Sequence, residues 1–244
     1  MPWPLPTSPQ DRVDLAKSYP FFAPDYSYWL DSSCCLRLEE RLASSGKTLG
    51  TVLEGRTPVV GHGSNRSPEQ LKRKYQGHDT FDEGVVVTGI WLEDHDVVFS
   101  SHMARYGSVA ADLAPAPGVS VQVFVNWLTP VQLEMMHKTE SSYSFIPVEG
   151  NWSPLDWQIP EMFGRDFPVY YYKSNDDPLK RGGQPISIAA IPSKGRQGLS
   201  LCQEELLALV HQVEPEELDR SILRSIDDQT YRHALMAAAQ KTFV

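Results

Sequence analysis

Residues 119–128 alternate Val119, Val121, Val123, Val125 and Trp127 against Ser120, Gln122, Phe124 and Asn126. That period of two predicts a β-strand. Shorter apolar runs predict strands at Thr57–Val60, Gly84–Leu92 and His95–Ser100, and further ones at Tyr143–Val148, Phe167–Tyr172 and Pro185–Ile191. Helical spacing appears at Asp31–Ser45, where Leu36, Leu38 and Leu42 are partly in phase, and at Leu201–Val213, Pro215–Ser225 and Gln229–Thr242. The last segment carries Ala234, Ala237 and Ala238, a small-residue face suited to close packing. Residues 1–28 are rich in proline and aromatics, which reads as an irregular arm held down by ring burial. Many strands with helices grouped at the C-terminus predict an α+β (mixed α/β) fold, a curved mixed sheet or small β-barrel. Its parts are an arm and helix over 1–50, a core over 51–192 and a helical extension over 193–244.

One helix carries chemistry. In Thr129–Glu140, Thr129 suits the cap, Pro130 the first turn, and Gln132 completes a capping box. Leu133, Met136, His137 and Glu140 fall at i, i+3, i+4 and i+7 and share one side. Glu140 therefore faces inward, close to the negative end of the helix dipole. Burial and dipole both favour a protonated carboxyl, which suits a general acid/base. A terminal glutamate that turns out to solvent is the plain alternative.

Composition narrows the classes. The 244 residues are 41% hydrophobic and 22% charged, ordinary for a globular chain, and the net charge is −9. An acidic chain with scattered Lys and Arg lacks the basic footprint of a nucleic-acid binder. No apolar run approaches the roughly 20 residues that span a bilayer. The proline-rich start lacks a secretory leader's basic region, so a cytoplasmic protein is expected. Cys34, Cys35 and Cys202 have no metal-type spacing and read as free thiols. His62 and His137 form no two-histidine metal motif, and Ser64 lies in no Gly-x-Ser-x-Gly elbow, so neither a metal nor a serine nucleophile is expected.

The second informative stretch is Gly61-His62-Gly63-Ser64-Asn65, between a strand and a predicted helix start at Ser67-Pro68-Glu69-Gln70, another capping box. Glycines at positive φ would let successive amides converge on a carboxylate or phosphate. A tight strand-to-helix turn explains the same residues. Arg105 and His102, in the polar segment 100–113, are candidates to bind an anionic ligand or are solvated loop residues. Arg66, next to the glycine loop, is expected to face water.

Taken in order, these segments resemble the gamma-glutamylcyclotransferase superfamily. Its Tyr-Gly-Ser-Asn loop corresponds to His62-Gly63-Ser64-Asn65, and its polar strand, glycine and small-residue strand to Phe99–Ser101 and Tyr106–Leu113. Its Pro-Gly turn, following strand and catalytic-glutamate helix correspond to Pro117-Gly118, Val119–Leu128 and the helix ending at Glu140, with Tyr143 after it. The resemblance covers about 57–150, loosely to 192, and departs where His62 replaces the loop tyrosine. It implies a mixed α/β barrel-like fold and a cofactor-independent cyclisation of a small-molecule γ-glutamyl amine or dipeptide, releasing 5-oxoproline. The amides of Gly61 to Ser64 would hold the α-carboxylate, with Asn65, Tyr143 and Arg105 also on the substrate side, and Glu140 would move the proton. No nucleic acid, membrane or metal is implied. The alternatives are a related acyl- or amide-processing enzyme, and a non-catalytic binding protein. The aromatic arm would suit a specialised ligand or a homodimer contact.

Overall fold

The computed structural model describes residues 3–140, 142–156 and 168–243. The helices are α1 (Pro9–Lys17), α2 (Leu38–Ser45), α3 (Leu49–Leu53), α4 (Pro68–Tyr75), α5 (Pro130–Thr139), α6 (Gln203–His211), α7 (Leu218–Asp227) and α8 (Gln229–Thr242). The longer strands are β3 (Thr57–Gly61), β4 (Val85–Met103), β5 (Val109–Leu128), β6 (Tyr143–Pro147) and β8 (Tyr170–Ser174). Shorter ones are β1 (Tyr28–Leu30), β2 (Cys35–Arg37), β7 (Trp152–Pro154), β9 (Lys180–Arg181), β10 (Gln184–Pro185), β11 (Ser187–Ile188), β12 (Ser193–Lys194) and β13 (Ser200–Leu201). Phe167, the expected start of β8, lies outside the described residues.

The fold is α+β, built on one large, mostly antiparallel sheet. Its main path runs β13-β11-β4-β5-β3-β8-β6, with β1 and β7 also on β4 and β12 on β5. Only the pairs β3–β8 and β11–β13 are parallel among the described residues. The two ends of the path do not pair with each other, so the sheet is open and the small-barrel expectation is not met.

The long hairpin β4–β5 is the frame. The segments expected as separate strands at 84–92 and 95–100 are one strand. Pro117-Gly118 is not a turn between strands but part of a bulge within β5. The register passes from Glu93↔Ser120 to His95↔Pro115, and Asp94 and Gly118 take φ of 55° and 79°. The Gly118 amide donates to Asp94 Oδ1 at 2.8 Å and closes the irregularity. Such a bulge absorbs extra residues while pairing continues on both sides.

The alternation over residues 121–128 of β5 holds, but neither face meets water there. Val121, Val123, Val125 and Trp127 join a large core. Phe124 and Leu128 join a second core on the other face, with Tyr28, Leu71, Tyr75 and Met136. The large core also takes Val13 and Tyr19 from the arm and Leu206, Ile222 and Met236 from the C-terminal helices.

Four local expectations need correcting. The arm is not wholly irregular: it contains α1, capped by Ser8, and Lys17 at its end reaches Glu204 at 2.8 Å and Asp219 at 2.9 Å. The stretch 31–45 is a hairpin followed by a helix. Asp31 Oδ1 accepts from the Ser33 amide (2.9 Å), the Ser33 hydroxyl (2.7 Å) and the Cys34 amide (3.0 Å), which is turn chemistry that competes with helix. In α8 the alanine face is exposed, and Arg232, Met236 and Ala239 point inward instead. At α4 Ser67 is the cap residue, but its hydroxyl is buried without a partner and no capping box forms.

Candidate active site

The capping box of α5 forms as the sequence predicts: the Thr129 hydroxyl accepts from the Gln132 amide and the Gln132 side chain accepts from the Thr129 amide. Gln132 is then held on the Thr80 and Gly84 carbonyls at 2.9 and 3.2 Å. With its start anchored and Met136 buried, the end of the helix is fixed in rotation. Glu140 is its C-cap residue, with a side chain 12% exposed.

The glycine loop meets it there. β3 pairs with β5 along its whole length, from Thr57↔Leu128 to Gly61↔Phe124, and delivers the loop 62–66 to the mouth of the sheet. Neither Gly61 nor Gly63 takes a positive φ, so the expected reason for the glycines is replaced by another, close approach. A Cβ on Gly61 would lie 2.7 Å from Asn126 Nδ2 and from the Asn65 carbonyl oxygen. One on Gly63 would lie 2.4 Å from Tyr19 Oη. The Asn126 amide donates to that Asn65 carbonyl at 3.1 Å and holds the loop's shape.

A small cavity of about 30 Å³, partly open to solvent, lies between loop and carboxylate. His62, Gly63, Ser64, Asn65, Glu140 and Tyr143 line it, joined by Tyr19, Val60, Ala111 and Tyr172. Loop and helix are tied directly, since Asn65 Nδ2 donates to Glu140 Oε1 at 3.1 Å.

The carboxylate is not isolated. Lys74, on α4, has a side chain only 4% exposed and places Nζ 2.5 Å from Glu140 Oε1. The hydroxyl of Thr139 stands 3.4 Å from the same oxygen. Oε2 has no hydrogen-bond partner among the described residues. The sequence reading missed this lysine.

Tyr19 was also missed. Its phenolic oxygen accepts from the Ala111 amide at 2.8 Å, so its own proton is free to be donated into the cavity. Burial pushes its pKa well above the ordinary phenol value and keeps it neutral. His62 is 6% exposed, with Nδ1 buried and unpartnered, and its ring meets Tyr171 edge-on at 6.1 Å. Burial pulls the His62 pKa down and pushes that of neighbouring Asp112 up, and attraction between the two opposes both shifts.

Five other residues that the sequence singled out do not line the cavity. Gly61 is inside β3 and does not line the cavity. Arg105 does not line it either: its guanidinium donates to the Trp3 carbonyl and sits 5.0 Å over the Trp3 ring, bracing the arm. Its expected role on the substrate carboxylate is not what its position provides. His102 stands 3.6 Å from Asp176 and edge-on to Tyr143, while His137 meets the Tyr172 hydroxyl at 2.8 Å. Arg66, expected in water, is 5% exposed and packs over Phe124.

Among the described residues no group of three or more His, Cys, Asp or Glu side chains is arranged to hold a metal ion. No helix among them is long and apolar enough to cross a membrane. No family model, curated protein or solved structure matches this chain. The functional reading therefore rests on the geometry just described and on the ordered sequence motifs.

Proposed function

We propose that this protein is a gamma-glutamylcyclotransferase-like enzyme, converting a γ-glutamyl amine or dipeptide to 5-oxoproline and a free amine. The observation that carries the reading is the meeting of the 62–65 loop with Glu140 around one cavity, joined by the Asn65–Glu140 hydrogen bond. The motifs that resemble the superfamily are more than 70 residues apart in the chain. A resemblance confined to sequence would have no reason to bring them within 3.1 Å.

The chemistry is as follows. The substrate's α-carboxylate takes hydrogen bonds from the 62–65 loop and from the Tyr19 hydroxyl. Glu140 Oε2 accepts a proton from the α-ammonium, and the freed amine attacks the γ-carbonyl carbon of the same molecule. A C–N bond forms, the carbonyl electrons move to oxygen, and a tetrahedral intermediate results. Glu140 hands that proton to the leaving nitrogen and takes a second from the ring nitrogen; the bond to the leaving nitrogen breaks and the second proton follows, so the amine departs as an ammonium and the ring keeps one N–H. Atoms balance without water or cofactor. The protein holds a folded-back chain and supplies one proton carrier, and such positioning is worth several kcal/mol of barrier.

The test is release of 5-oxoproline from a panel of γ-glutamyl amines and dipeptides, followed by mass spectrometry in wild type and Glu140→Gln. Release by wild type and its loss in the variant support the reading. Binding of panel members without release favours a non-catalytic binding protein, and equal release by both proteins removes Glu140 from the mechanism.

A further inference from the structure

The reaction above leaves Lys74 without a role, yet its placement is costly. It lies in the last turn of α4, on the stripe of Gln70, Leu71 and Tyr75, all buried. Its ammonium reaches Glu140 Oε1 at 2.5 Å, Thr139 Oγ1 at 2.8 Å and the Met136 sulfur at 3.1 Å. All three acceptors belong to the C-terminal end of α5 and its cap. A buried ion pair is seldom a gain in stability over a well-packed apolar pair, so its presence asks for another reason.

Glu140 shows what that reason is. Its hydrogen bonds, from Lys74, Asn65 and Thr139, all fall on Oε1. A carboxylate gripped by one oxygen presents the other in a fixed direction, and Glu140 is one of the residues that line the cavity. We propose that Lys74 is a positioning residue that holds Glu140 by Oε1 as a carboxylate, leaving Oε2 alone to exchange a proton with the substrate. What Oε2 does rests on the cyclisation reading, whereas the pairing itself does not.

The other titratable groups whose charge bears on Glu140 are His62, His102, Tyr19, Tyr75, Tyr106, Tyr143 and Tyr172. Burial pulls both imidazoles down and pushes all five phenols up, so all seven are neutral near pH 7. Lys74 is then the cation that Glu140 meets.

The experiment uses the full chain and three variants: Lys74→Met, Lys74→Arg and the double variant Lys74→Met/Glu140→Gln. The Glu140 side-chain carboxyl is followed by ¹³C NMR across pH, its resonance identified by its loss in Glu140→Gln. In Lys74→Met its titration is expected to lie at higher pH than in wild type, because a cation at contact distance has gone. Lys74→Arg is expected to stay near wild type. With γ-glutamyl-alanine as probe, the acid limb of kcat/KM moves the same way in Lys74→Met, and kcat falls more than KM rises. An unmoved titration in a folded Lys74→Met overturns the proposal. If Lys74→Met fails to fold while the double variant folds, the unpaired carboxylate is the cause and the pairing stands. If neither folds, Lys74 is a packing group and the proposal falls. A wild type that releases no 5-oxoproline but shows the Lys74→Met titration shift retires the cyclisation reading alone.

Discussion

Adding one methyl group at Gly63 should be felt first by Tyr19, and the size of the effect can be worked out from contacts. In Gly63→Ala the new Cβ lies 2.4 Å from Tyr19 Oη, 3.0 Å from Ala111 Cβ and 3.4 Å from Tyr19 Cζ. The first distance is impossible, so the phenol must move. Its ring is 5% exposed and wedged against Phe21, with centroids 5.8 Å apart, so it cannot swing freely. Moving it stretches the 2.8 Å hydrogen bond from the Ala111 amide, a buried donor whose loss costs about 1–3 kcal/mol. Overpacking adds about 1–3 kcal/mol. Gly63→Ala is therefore expected to destabilise by roughly 2–5 kcal/mol. Tyr19→Phe removes the oxygen that clashes, after which the nearest contacts are at 3.0 and 3.4 Å. In that background the same methyl should cost about 1–3 kcal/mol less. Urea unfolding of wild type, both single variants and the double variant measures this coupling directly. Effects that add to within about 0.5 kcal/mol would show that loop and phenol do not touch as described, and with that the arm's place in the cavity would fail.

The remaining expectations concern charge. Glu140→Gln should lower 5-oxoproline release by roughly 100-fold or more in a progress-curve assay. It should also lower stability in urea by up to about 3 kcal/mol, because Lys74 keeps a buried charge without its anion. His211 is 5% exposed, its Nδ1 stands 2.6 Å from Ser221 Oγ, and burial pulls its pKa down to about 4. The unfolded chain therefore binds this proton first as pH falls: the contribution is whole above about pH 6.5 and lost on the way to pH 4, up to about 3 kcal/mol. His211→Gln should flatten the stability–pH curve over that window, and an unchanged slope would count against it. At Asp31 burial acts to raise the carboxyl pKa, but hydrogen bonds from Ser33, Trp29 and Cys34 outweigh it and hold the carboxyl below its usual range. Its stabilisation is present above about pH 4 and fades as pH falls further. Asp31→Ala should cost about 2 kcal/mol or more at pH 7, read by thermal or urea unfolding.

Features governed by local chemistry were legible. The α5 capping box, the period-two strand ending at Leu128 and the C-terminal helices sit close to where residue patterns put them, because each is decided within a turn or a strand length. The misses arise where a distant partner decides. Nothing local says that Gly118 will bond Asp94 and let one strand run through a Pro-Gly pair. The helix pattern over 31–45 was real only from Leu38 onward, since the Asp31 side chain gathers the turn before it. The alanine face of α8 misled for a simpler reason. Small residues pack well when covered, but Met236 and Ala239 supply the covered face and leave the others in solvent.

The site divides along the same line. A polar loop after a buried strand was readable. Glu140 does turn inward, but as the C-cap residue beyond the helical turns, and His137 of the expected inward face is exposed, so helix phase alone does not place it. The meeting of loop and Glu140 was not readable, because it depends on β3 pairing with the end of β5 while α5 leaves that same end. Lys74 left a readable trace that went unused. Gln70, Leu71, Lys74 and Tyr75 share one face of α4, and a lysine on such a stripe must either snorkel outward or find an anion. With a 4% exposed side chain it does not snorkel, and the only anion within 4 Å of it among the described residues is Glu140. The inward carboxylate and the buried ammonium thus account for each other in space. What the pairing adds is direction: it occupies one carboxylate oxygen of a residue that lines the cavity and leaves the other without a partner among the described residues, which a lone buried glutamate would not secure.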